Sequence, residues 1–99
     1  MSQRSDSREL RGRRMAEPGA VEAYDAARLA FELGRQVRDL RIQQGLSQTE
    51  LARRAGMTQP AVARFEAGGT VPTLPLLERV ARALGAELTV QLGPSSSVA

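Results

Sequence analysis

The sequence predicts an all-α domain, a four- to five-helix bundle with one short C-terminal strand. Three observations carry this expectation. Ser47, Thr58 and Thr73 each stand just before a run of helix-forming residues, where a side-chain oxygen can cap a new helix. Gly45, Gly56, Gly68-Gly69 and Gly85 follow the ends of such runs. Between these signals the apolar residues recur three and four apart, the spacing of one buried helix face. With 99 residues, the chain has room for one small core plus tails.

The elements follow in order. Residues 1–17 are rich in Arg and Ser, lack apolar periodicity, and are expected to be disordered. This arm reads either as a DNA-tracking tail or as a solvated extension, and Met15 offers a second translation start. Pro18-Gly19 marks the onset of order. Residues 18–32 read as an N-terminal helical extension and residues 33–85 as the main domain. From Ala20 to Gln44 the only Gly or Pro is Gly34, whose low helix propensity admits a break or bend. Leu33, Val37 and Leu40 form a core-facing stripe. Val21, Tyr24, Arg28 and Phe31 carry it further than a small bundle needs. Those four read either as packing on the domain's own body or as a surface for a partner chain.

After Gly45, Ser47-x-x-Glu50 predicts a capping box, in which each side chain satisfies a free backbone N–H. Gly56 ends the second helix, Thr58 caps the third, and Pro60 falls in its first turn, where no hydrogen bond is lost. Thr73 caps a fourth helix that carries Leu77, Val80, Ala81 and Leu84 on one face. In residues 86–93, Leu88, Val90 and Leu92 alternate with polar residues, which predicts a strand. A lone strand must pair with a second copy, forming a dimer sheet, or lie against the body as an extended tail. Residues 94–99 read as a disordered end.

Composition narrows the chemistry. The chain has no Cys and no His, so disulfides, thiolate metal sites and the commonest general base are absent. No catalytic residue, metal or cofactor is expected. Neither a membrane-spanning run nor the apolar core of a signal peptide is present, and a cytoplasmic protein is expected. All 14 basic residues are Arg. The first fourteen residues carry five of them against Asp6 and Glu9, a net +3, and the remainder balances to zero. DNA affinity in the folded part would therefore depend on how charge is segregated over its surface.

The second and third helices form a helix-turn-helix, an arrangement that holds the start of a short helix against base edges in the major groove. Val62 and Phe65 would face the core with Leu51, Ala52, Ala55 and Met57, leaving Gln59, Pro60, Ala61 and Arg64 for the bases. Gln can bond adenine through both amide groups, Arg can fork onto guanine, and Pro or Ala can touch a thymine methyl. Gln48 and Thr58, at helix N-termini, and Arg53 and Arg54 are expected at phosphates. Arg41 and Glu66 sit beside core positions and are expected to form a structural ion pair.

The stretch from Leu33 to Leu84 resembles the phage-repressor helix-turn-helix family (Cro and XRE type). The likeness rests on Arg41, Gly45-Leu46-Ser47-Gln48, Glu50-Leu51-Ala52, Gly56, Thr58-Gln59, Val62, Phe65-Glu66, Gly68, Pro72 and Ala83-Leu84. It implies a lambda-repressor-like fold, phosphate contact by Gln48, base reading by Gln59, and an Arg41–Glu66 tie between first and third helices. Pro60 departs from the polar residue that the family often uses for base contact. The flanking helix from Tyr24 to Arg35 and the segment from Leu84 to Val90 resemble HigA-type antitoxins. That implies a homodimeric repressor on a palindromic operator in double-stranded DNA, paired with a RelE/HigB-like ribonuclease toxin. The alternatives are a stand-alone phage-like regulator and a helix-turn-helix scaffold for protein interaction without DNA binding.

Overall fold

In the computed structural model, residues 19–94 are described, and they form four α-helices. These are α1 (Ala20–Gln43), α2 (Gln48–Ala55), α3 (Gln59–Glu66) and α4 (Leu74–Ala83). The expectations for residues 1–17 and for the last residues of the tail lie outside the described part. None of the described helices is long and apolar enough to cross a membrane.

Three of the four helices start on a capping hydroxyl. The Ser47 Oγ accepts from the Glu50 backbone N–H at 3.0 Å, Thr58 Oγ1 from Ala61 at 3.2 Å, and Thr73 Oγ1 from Leu76 at 3.3 Å. Pro60 and Pro75 sit in the first turns of α3 and α4. The capping box is only half formed. The Glu50 carboxylate turns away from Ser47 to Arg53 and Arg54, because two guanidiniums attract it more strongly than one neutral N–H.

The core unites all four helices: Val37 from α1, Leu51, Ala52 and Ala55 from α2, Val62 and Phe65 from α3, and Val80 beside Leu84 at the end of α4. Leu33, Leu46, Met57 and Leu77 pack around it. Helix α2 packs on both α3 and α4, and α1 packs on α3.

Helix α1 runs unbroken through Gly34, and the residue has a packing role instead. A Cβ built there would fall 2.8 Å from the Glu66 carbonyl oxygen and collide with that of Phe65. Gly68 repeats the pattern on the facing element, since its Cβ would lie 2.8 Å from the Phe31 Cα, and its φ of 77° also suits glycine. The two glycines let the backbone of α1 rest directly on the C-terminal end of α3. Ala30, Gly34 and Val37 are the buried residues of α1. The stripe therefore shifts: Val21, Tyr24 and Phe31 lie exposed, and Arg28 pairs with Glu32 at 2.9 Å.

The strand expected over residues 86–93 does not form, and no strand is present among the described residues. Leu88 is half-buried, while Val90 and Leu92 project into solvent. A single copy offers this segment no edge with which to exchange backbone hydrogen bonds.

Candidate nucleic-acid interface

The turn between α2 and α3 brings Gln48, at the start of one helix, beside Gln59, at the start of the next. Gln59 Nε2 donates to Gln48 Oε1 at 2.8 Å, and Gln48 Nε2 donates to Glu66 Oε1 at 3.0 Å. Glu66 is 7% exposed, the only buried polar or charged residue among those described. The Arg41 guanidinium holds it by two bonds, Nε to Oε2 at 2.6 Å and Nη2 to Oε1 at 3.0 Å. A third bond runs from Arg41 Nη1 to the Leu46 carbonyl at 2.9 Å. No buried side-chain polar atom among the described residues lacks a partner. The Glu66 hydrogen bond, aided by its charge, raises the Arg41 pKa above its already high ordinary value and holds the guanidinium charged.

This chain of bonds has a direction. A carboxylate only accepts, so Glu66 takes the nitrogen end of the Gln48 amide. Gln48 must then show its oxygen to Gln59, which must offer its nitrogen. One Gln59 N–H and its Oε1 are left over, the donor and acceptor that adenine N7 and N6 require. One N–H of Gln48 is also left over, available to a phosphate oxygen.

The neighbouring residues share this exposed edge. Thr58, Gln59 and Pro60 are exposed and Ala61 half-buried. The Thr58 oxygen is occupied by its cap, but its hydroxyl hydrogen remains able to donate. Arg64 is exposed one turn further along α3, and its stem crosses Gly69, where a Cβ would lie 2.8 Å from the Arg64 Cγ. Arg53 and Arg54 are differently engaged: both bond the Glu50 carboxylate, which leaves one net positive charge for the trio. Hydrogen bonds from the two arginines pull the Glu50 pKa down to about 2. Val21, Tyr24, Arg28 and Phe31 are exposed on α1, while Leu88, Val90 and Leu92 lie on the C-terminal segment.

Three contacts had no signature in the sequence. Gln48 bonds the ion pair; Arg79 Nε and Nη2 donate to the Ala55 and Gly56 carbonyls at 3.1 and 2.9 Å; and Gln44 Nε2 donates to the Leu84 carbonyl at 2.6 Å. The last two cover the C-terminal ends of α2 and α4, and a polar side chain on a distant helix gives no local clue that it will do so.

The family model described as a helix-turn-helix domain matches residues 32–91. Over 51 residues the chain is 45% identical to an uncharacterized HTH-type transcriptional regulator of Methanothermobacter thermautotrophicus, spanning 52% of this chain and 74% of that protein. Over 47 residues it is 49% identical to antitoxin HigA1 of Mycobacterium tuberculosis, spanning 48% of this chain and 32% of HigA1. The chain thus matches about a third of HigA1's length. No solved structure matches the chain significantly.

Proposed function

The chain belongs to the helix-turn-helix domain family, and from that premise we propose that it is a sequence-specific DNA-binding repressor rather than an enzyme. The observation that carries this reading is the pre-oriented Gln59 amide at the exposed start of α3, held through Gln48 by a buried ion pair. In this reading Gln59 and Arg64 read bases, Pro60 and Ala61 provide apolar contact, and Gln48 and Thr58 hold phosphates. Arg53 and Arg54 add phosphate contacts from the positive charge that Glu50 leaves over.

The protein acts as a homodimer that sets two copies of α3 into successive major grooves of a palindromic operator, about 34 Å apart. Support for a second copy comes from Leu88, Val90 and Leu92, an alternating segment with no ladder of its own. It borders an apolar groove between α1 and α4, lined by residues including Leu33, Leu40 and Leu77. The likeness to HigA1 supports the finer reading of an antitoxin that binds a RelE/HigB-like toxin and represses its own operon in the cytoplasm. The exposed Val21, Tyr24, Arg28 and Phe31 of α1 then offer the toxin a surface.

Fluorescence-anisotropy titration against the DNA upstream of its gene and a scrambled duplex, at two salt concentrations, tests the reading. Strong preference for the upstream DNA is expected, with an affinity loss on the order of 10³-fold between 50 and 200 mM salt if about six phosphates are neutralised. Equal, weak binding to both duplexes would defeat it. Co-purification with the neighbouring gene's product tests the toxin.

A further inference from the structure

We propose that the cleft between the C-terminal end of α2 and the outer face of α4 binds a phosphate-class oxyanion. The cleft, about 470 Å³, is lined by Arg54, Arg79 and Arg82, with the small side chains of Ala55 and Ala83 leaving space between them. No acidic residue lines it. Arg54 lies at the far end of α2 from Gln48, roughly 9 Å along the helix axis at 1.5 Å per residue. The cleft shares Arg54 with the proposed DNA phosphate contacts but lies away from the Gln48–Gln59 edge, so the inference does not rest on the base-reading assignment.

The three arginines are engaged to different degrees. Arg54 spends its Nε on Glu50, which Arg53 shares, and keeps its terminal nitrogens. Arg82 reaches Glu78 only at 4.0 Å, the loosest ion pair among the described residues. Arg79 has no carboxylate within ion-pair distance among the described residues. Its Nε and Nη2 are fixed instead by the Ala55 and Gly56 carbonyls.

A guanidinium has five N–H groups, so two bonds leave Arg79 with three donors and an orientation already set. An anion arriving there meets a cation whose ordering cost has been met by the α2 cap. Three guanidiniums around one opening repel one another, and a multiply charged anion relieves that repulsion more fully than a single carboxylate. Phosphate and pyrophosphate oxygens also suit the planar fork. The oxyanion comes either from a free phosphate-bearing molecule or from a nucleic-acid backbone.

Isothermal titration of the full chain with pyrophosphate, at an ionic strength held constant with chloride, tests the site. Saturable binding of one pyrophosphate per chain is expected, weakened about fivefold in Arg82→Gln, a loss in the range of one exposed charge contact. Arg82 supports no helix cap, so the ligand-free melting temperature should be unchanged. Arg38→Gln, which removes an exposed arginine on α1, should bind as the wild type does. Binding no stronger than that of chloride, or equal binding by Arg82→Gln and wild type, would overturn the proposal; the second result would place the bound ligand elsewhere on the chain. Repeating the titration with a 20-base-pair duplex bound identifies the source: retained binding indicates a free ligand, and displacement indicates backbone phosphates.

Discussion

Gln59 and Gln48 are joined by a 2.8 Å hydrogen bond whose direction is set from within the core. Glu66, which accepts from Gln48 at 3.0 Å, can present only oxygen, so both amides are ordered before any ligand arrives. The exposed end of the relay therefore inherits its orientation from the buried end.

Gln59→Ala should weaken operator binding by about 1–3 kcal/mol and relax discrimination at one base pair. Gln48→Ala should act through the same relay, so the double variant should lose less than the sum of the two. Anisotropy titrations of the four proteins give the coupling, and strict additivity would mean that the two glutamines work independently.

Glu66→Ala leaves the Arg41 charge largely buried with only a carbonyl to meet it and should cost about 3–5 kcal/mol of folding stability. Replacing both partners with apolar residues, Arg41→Met with Glu66→Leu, should recover much of that stability, because no charge is stranded. The same double variant should still bind its operator poorly, since Gln48 loses its anchor. Urea unfolding and DNA titration on the same samples separate the two effects.

Gly34→Ala would normally favour a helix by about 1 kcal/mol. Here the added methyl meets the Phe65 and Glu66 carbonyls, so a net loss of about 1–3 kcal/mol is expected. A raised melting temperature would show that α1 and α3 can separate without cost.

The pH dependence follows from Glu50. Its folded pKa, about 2, lies below the ordinary 4.5, so its pairing stabilises the fold above pH 4.5 and is lost as pH falls toward 2. Glu50→Gln should flatten the stability profile across that window. The same change frees Arg53 and Arg54, so DNA binding at neutral pH should strengthen and its salt dependence steepen. Unchanged salt dependence would place both arginines away from phosphate.

Helix boundaries were legible in the sequence because their causes are local. A hydroxyl three residues before a backbone N–H, as at Thr58 and Ala61, and a glycine past a helix end depend on nothing distant. The inward set Leu51, Ala52, Ala55, Val62 and Phe65 was legible from the same short-range spacing. The outer stripe of α1 left two readings open, because apolar spacing records a face that can be buried and does not reveal what is opposite it. Gly34 took the contact with the end of α3, since only a residue without a side chain permits the backbones to come that close. The C-terminal segment shows the same gap: alternation describes a strand, but a strand also needs an edge.

The sequence by itself determined three hydroxyl-capped helix starts, the glycines past the helix ends, the residues of α2 and α3 that turn inward, and the small group left outward at the start of α3. Only the tertiary structure decided that Gln48 would link Gln59 to Glu66 and that Arg79 would close α2. The physical reason is range. Caps and periodicity act within a turn or two of one helix, whereas a hydrogen bond between residues 11 or 25 positions apart exists only after packing has placed their backbones.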